Sequence, residues 1–107
     1  MQILYKNRQL EKLLTDFSAL RKKYGGQAAE KIMQRISELD AAESLDDMPK
    51  SARTHPHKPT QMGKFSVDIL KHKHPLRLLF YAEGDYKLED RSTIKIIRID
   101  EIAEIHS

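Results

Sequence analysis

The chain has 107 residues, of which 39% are hydrophobic and 33% charged, with a formal net charge of +3 and no cysteine. This length and apolar content suit a single domain over residues 1–107, and the lack of cysteine excludes disulfides and thiolate chemistry. No apolar run approaches the length of a membrane span and the first residues lack the pattern of a signal peptide, so we expect a cytoplasmic protein with no membrane partner.

Two helices are predicted in the N-terminal part of the chain. Apolar residues recur at three- and four-residue spacing over about residues 8–24, with Asn7 as the N-cap and Gly25-Gly26 as the stop. A second apolar stripe predicts a helix over about residues 27–40. Because only a glycine pair separates them, the two helices are predicted to form an antiparallel hairpin. The following "AAESLDDMPK" is expected to form a short turn that ends at Pro49.

From residue 65 onward the apolar residues alternate with other residues instead. Alternation over residues 65–70 and 76–81 predicts two strands, which "KHKHP" would join into an antiparallel hairpin. The polar loop "AEGDYKLEDRS" separates them from "TIKIIRI", a strand apolar enough on both faces to be central, and residues 1–4 are a candidate edge strand. We therefore predict an α+β fold in which an N-terminal helical hairpin packs on a small, mainly antiparallel β-sheet.

The middle of the chain concentrates positive charge and histidine. Between residues 50 and 80 there are seven Lys/Arg, one acid (Asp68) and four of the five histidines, which gives a local charge of +6. Such a charge attracts polyanions, although a solvated face of lysines explains it equally well. The pairs His55/His57 and His72/His74 have a spacing that zinc could use. No nearby carboxylate or thiolate completes either set, so we predict no metal and no other cofactor.

Arg77 is the most informative single residue. It occupies a polar position in the otherwise apolar strand "PLRLLFY", and its planar guanidinium suits a phosphate. The alternative is a structural ion pair with Asp68 across the predicted hairpin. We expect the side chain to face solvent, where it contributes little to stability, so Arg77→Ala should leave the fold intact.

The stretch "RTHPHKPTQMGKFSVDILKHKHPLRLLF" resembles a segment of RelE/ParE-superfamily toxins of the HigB kind. The matching positions are His55, Pro56, Lys58, Gly63, Phe65, Val67, Asp68, Arg77, Leu78 and Phe80. Upstream, "RISELDAAESLDDMP" resembles the stretch that leads out of the family's second helix, and "IIRIDEIAEIH" resembles its final strand, which usually ends in Asp-Tyr-His. The resemblance runs in the right order over about four-fifths of the chain.

This resemblance implies a small toxin that cuts mRNA on the ribosome and is neutralised by a helix-turn-helix antitoxin of the HigA kind. It also implies metal-free chemistry, in which the ribose 2′-OH attacks the adjacent phosphate and leaves a cyclic phosphate. That reaction needs a proton acceptor, a proton donor and cations for the phosphorane. The residues implied as catalytic are His55, Arg77, Glu104 and His106. Those expected to bind RNA are Lys58, Lys64, Lys71 and Lys73.

Three departures from the family pattern keep alternatives open. Ile105 stands where the family usually has Tyr, His57 replaces Leu, and "PTQ" at residues 59–61 replaces Gly-Asp-Arg. A catalytically weakened RNA- or ribosome-binding relative is therefore one alternative. A non-enzymatic toxin of the ParE branch that inhibits gyrase is another, against which the histidines and Glu104 argue. A plain RNA-binding module is disfavoured because few aromatic residues lie between the cations.

Overall fold

Three α-helices and five β-strands are present among the residues that the structure, a computed structural model, describes: 1–52, 54–56, 63–70 and 74–104. In chain order they are β1 (Gln2–Tyr5), α1 (Arg8–Leu14), α2 (Phe17–Tyr24), α3 (Gly26–Ala41), β2 (Thr54–Pro56), β3 (Lys64–Asp68), β4 (Leu76–Ala82) and β5 (Ile96–Glu104). The predicted α+β class is confirmed. No helix within these ranges is both long and apolar enough to cross a bilayer.

The helix predicted over residues 8–24 is interrupted, so this prediction is wrong in detail. The break lies at Asp16, which is the N-cap of α2. Its carboxylate accepts hydrogen bonds from the N–H groups of Ser18 (3.0 Å) and Ala19 (3.3 Å). The apolar spacing continues through the break, which is why periodicity alone does not reveal it. Asn7 caps α1 as predicted, accepting a hydrogen bond from the N–H three residues later at 2.8 Å.

The connection between α2 and α3 is a single glycine in the left-handed region. Gly25 has φ of +88° and separates the two helices, which pack against each other. The antiparallel geometry of the predicted N-terminal hairpin stays a prediction. After α3, the stretch predicted as a short turn contains the 3-10 turn Leu45–Asp47, held by a capping box in which Ser44 and Asp47 bond each other's backbone N–H.

The five strands form one sheet in the order β1-β5-β4-β3-β2. Strand β1 pairs parallel with β5, and the other three pairings are antiparallel, so the predicted mainly antiparallel sheet and the β3–β4 hairpin are confirmed. Strand β1 is at an edge, as predicted for residues 1–4. Strand β5 has a neighbour on each side, but β4 and not β5 is the middle strand, since two further strands lie beyond β4 on its other side.

The two faces of the sheet carry different residues. One face holds the apolar core together with the helices; its fully buried side chains include Leu20, Ile32, Leu39, Val67, Leu78, Phe80, Ile97 and Ile99. We call the opposite face the polar face, and it carries Lys64, Ser66 and Asp68 from β3, Arg77, Leu79 and Tyr81 from β4, and Arg98 from β5. Because β3 and β4 alternate in phase, the candidate functional side chains that they carry lie on the same face of the sheet.

A β-bulge changes that alternation within β5. Phe80 pairs with Ile99 and Leu79 with Glu101, so Asp100 is the extra residue. One inserted residue reverses which alternate positions face the core. Beyond the bulge it is Ile102 that packs against the core, although the alternation set by Ile99 would have turned that position to the polar face.

Candidate nucleic-acid interface

Arg77 forms the structural ion pair that the sequence left open. The β3–β4 register places Arg77 opposite Asp68, and Arg77 Nε lies 2.9 Å from Asp68 Oδ1. The arginine side chain is only 12% exposed and the carboxylate 1%. The expectation that Arg77 faces solvent is therefore wrong: burying the carboxylate requires a charged partner, and the register supplies one. A phosphate contact by Arg77 is a proposal in addition to this structural role.

The turn before β4 holds the same guanidinium from a second side. Arg77 Nη1 donates a hydrogen bond to the carbonyl oxygen of His74. The imidazole of His74 is in turn fixed, because its Nδ1 accepts a hydrogen bond from the Leu76 N–H at 3.2 Å. With Asp68 on Nε and the turn on Nη1, the orientation of the guanidinium plane is set by contacts within the protein.

Asp68 is also anchored from the helical layer. Arg35 of α3 donates from Nε to the Asp68 carbonyl oxygen at 2.7 Å, and its Nη1 lies 2.8 Å from Glu38 Oε1. Arg35 is buried. Sequence reasoning missed it, although a signal exists: Arg35 follows Ile32 by three residues and precedes Leu39 by four, which puts it within the apolar stripe of its helix.

A second group on the polar face combines two cations with an aromatic ring. Lys64, Tyr81 and Arg98 are cross-strand neighbours on β3, β4 and β5, and we call them the Tyr81 row. Lys64 Nζ lies 5.8 Å and Arg98 Cζ 5.1 Å from the centroid of the Tyr81 ring. Arg98 also pairs with Glu83. Cations beside an aromatic ring suit a nucleic-acid strand, since the cations can bind phosphates and the ring can contact a base.

Tyr81 and Arg98 of this row line a shallow cleft of about 360 Å³, together with Ala82, Glu83 and Asp100. Lys64 was predicted from the sequence as an RNA contact, but Tyr81 and Arg98 were not. Both interrupt apolar strands at the positions that face away from the core. Only the strand register shows that they meet, and the sequence does not give that register.

The other candidate residues are distributed as follows. His55 occupies the β2 register position opposite Ser66, on the strand next to β3. Glu104 pairs with Leu76, whereas the partner of Arg77 is Ala103. Because successive residues of a strand alternate between faces, this register puts Glu104 on the face opposite Arg77 and does not bring the two together. Four further candidates lie outside the described residues: Lys58, Lys71, Lys73 and His106.

Metal ligation finds no support in the part of the chain that is described. Within those ranges, no three or more His, Asp or Glu side chains come together in a group that could hold an ion. The predicted absence of a metal and of any other cofactor stays a prediction.

No protein-family model matches this chain, and no curated protein is significantly similar to it.

Proposed function

We propose that this protein is a HigB-like toxin of the RelE/ParE superfamily, an endoribonuclease that cleaves mRNA on the ribosome in the cytoplasm. A helix-turn-helix antitoxin of the HigA kind neutralises it. One observation carries the proposal: Arg77, Lys64 and Arg98 lie on the same face of the sheet, and Lys64 and Arg98 lie beside the ring of Tyr81 on that face. This clustering, added to the sequence resemblance, favours a phosphodiester backbone as the ligand.

The proposed reaction is a transphosphorylation within the RNA. The ribose 2′-OH loses its proton to a base and its oxygen attacks the adjacent phosphorus, while the bond to the 5′ oxygen breaks and that oxygen takes up a proton. The products are a 2′,3′-cyclic phosphate and a free 5′-OH. His55 and His106 are the proposed proton-transfer groups, and Arg77 is the proposed donor to the phosphorane. Glu104 is assigned no role in this step, because the register of β4 and β5 puts it on the face opposite Arg77.

The ion pair of Arg77 affects how that role would work. A substrate phosphate has to share the guanidinium with Asp68, so most of the positive charge at this point is already compensated. What the pair supplies is orientation, since Asp68 and the His74 carbonyl hold the guanidinium before any substrate arrives. Donors that need no reorganisation are the ones that stabilise a transition state most effectively.

A second candidate function is supported by two specific observations. The pairing of Arg77 with Asp68 and the separation of Glu104 from Arg77 favour a relative that binds RNA or the ribosome with weakened cleavage. The Tyr81 row serves such a binder as well as it serves a nuclease. The alternative of a gyrase-inhibiting toxin rests on the sequence family only.

The two candidates are distinguished by expressing the gene without its neighbour and mapping mRNA ends by primer extension. A nuclease arrests growth and produces new 5′ ends within translated messages. Arg77→Lys keeps a cation beside Asp68 but loses the planar fork, and we expect it to slow cleavage by roughly 10²-fold or more. Arg21→Lys is the matched control: it makes the same exchange at an exposed arginine of α2, outside the polar face, and should have little effect on cleavage.

Ribosome association without new mRNA ends would favour the binding relative. Normal growth at good soluble expression, with no association and no cleavage, would contradict both candidates.

A further inference from the structure

His74 lies in the turn that leads into β4, and its imidazole has no substrate contact in the site described so far. It is exposed, yet two of its groups are engaged: Nδ1 accepts from the Leu76 N–H at 3.2 Å, and the carbonyl oxygen accepts from Arg77 Nη1. The bond at Nδ1 therefore holds the imidazole in a set orientation, on the residue whose carbonyl oxygen contacts Arg77.

The hydrogen bond at Nδ1 determines which ring nitrogen carries the proton. A nitrogen that accepts an N–H bond has no hydrogen of its own, so in the neutral ring the proton is on Nε2. The two nitrogens point in divergent directions from the ring. While Nδ1 faces the backbone of the turn, Nε2–H is the donor on the side away from the Leu76 amide.

We propose that His74 contacts a phosphate of the bound RNA, with Nε2–H donating to a non-bridging oxygen next to Arg77. This inference rests on the proposed function, of which it specifies one ligand contact. Because His74 also orients Arg77 through its carbonyl oxygen, it acts on the phosphate directly and on the guanidinium indirectly. The contact uses a neutral donor and forms no covalent bond.

One substitution separates the acceptor role of Nδ1 in the turn from the proposed donor role of Nε2–H. In His74→Asn, the amide oxygen occupies the place of Nδ1 and accepts from the Leu76 N–H, as asparagine does in Asx turns. The same variant has no group at the position of Nε2. His74→Ala removes both the acceptor for Leu76 and the phosphate donor. The backbone carbonyl that binds Arg77 is present in both variants.

The test uses the full chain and a short 2′-O-methyl RNA, which lacks the attacking hydroxyl and cannot be cleaved. We expect His74→Asn to weaken binding by roughly ten- to a hundredfold, the size of one hydrogen bond to a charged group, with an unchanged melting temperature. His74→Ala should weaken binding to a similar extent and also lower the melting temperature. In ¹⁵N spectra of the wild type, the His74 signal of Nε2 should shift on adding the RNA.

Wild-type affinity in His74→Asn, a proton on Nδ1, or no binding of the RNA by the wild type would each overturn the inference. Failure of the nuclease proposal is recognised separately, because primer extension measures cleavage and this RNA measures binding alone. A protein that binds the 2′-O-methyl RNA through His74 but leaves mRNA intact would retain the inference and lose the nuclease.

Discussion

Two arginines on the polar face each contact a carboxylate, yet their pairs differ in burial. The side chains of Arg77 and Asp68 are 12% and 1% exposed, whereas those of Arg98 and Glu83 are 39% and 32% exposed. Removing one member of a buried pair costs about 3–5 kcal/mol, while an exposed pair contributes about 0–1 kcal/mol. Arg77 therefore serves the fold in addition to any substrate, and Arg98 can engage an external ligand at little cost to the fold.

This difference affects how loss of activity is interpreted. A variant of Arg77 that stops cleavage could do so by unfolding, so a melting curve has to accompany every activity measurement at this position. A variant of Arg98 that weakens binding does so without that ambiguity. The comparison predicts the order of the effects on stability. The loss in free energy of unfolding should be largest for the Arg77–Asp68 pair, smaller for Arg35 of α3, and smallest for the Tyr81 row.

The largest expected effect is that of Arg77→Ala on stability. The substitution removes the guanidinium from a carboxylate that is 1% exposed, and we expect the free energy of unfolding to fall by about 3–5 kcal/mol. Chemical denaturation measures it. The control is the double variant Arg77→Met with Asp68→Leu, which replaces the pair by apolar side chains and should be close to wild type in stability. A loss below about 1 kcal/mol in the single variant would show that the pair behaves like an exposed one.

A smaller loss is expected for Arg35→Met. This variant keeps the apolar stem but removes the hydrogen bond to the Asp68 carbonyl and the pair with Glu38, at a cost of about 1.5–3 kcal/mol. Because Arg35 and Arg77 contact the same residue, their effects should not be additive, with a coupling of about 0.5–3 kcal/mol in a double-mutant cycle. Glu38→Gln keeps an acceptor for Arg35 and should lose less. Strict additivity would indicate that Asp68 does not link the two layers.

The class of the fold could be predicted because the apolar residues follow two clear periods, a helical one in α3 and a two-residue one in β3 and β4. The α3 stripe and the alternation in β3 and β4 each bury one face, and both were recognised from apolar spacing alone. The break at Asp16 was missed, because an N-cap side chain competes locally with a helix whose apolar pattern continues on both sides. The bulge at Asp100 was missed for a related reason: it depends on the pairing of β5 with β4, which no local pattern in β5 encodes.

A candidate site residue could be predicted only where its type and its position in the sequence were enough to identify it, without knowledge of the strand register. Arg77 could be identified because an arginine interrupts an apolar strand, and its partner Asp68 could be named as an alternative. The Tyr81 row could not be identified, since it depends on three strands meeting in a particular register. The bulge also moves Glu104 to the other face, so a residue matched to a family motif by order alone does not reach Arg77.

The smallest effect on stability, and the clearest effect on binding, is expected for the Tyr81 row. Lys64→Ala and Arg98→Ala should each change the free energy of unfolding by less than about 1 kcal/mol, because the row is partly exposed. Each should weaken binding of the 2′-O-methyl RNA at low salt and reduce the slope of log affinity against log salt by about 1, since one phosphate contact is lost. The matched control is Lys22→Ala, which removes an exposed cation of α2 outside the polar face and should leave the slope unchanged. Equal slopes for all three variants would mean that binding depends only on the net positive charge of the protein and not on where the cations lie. The polar face would then not be the binding surface.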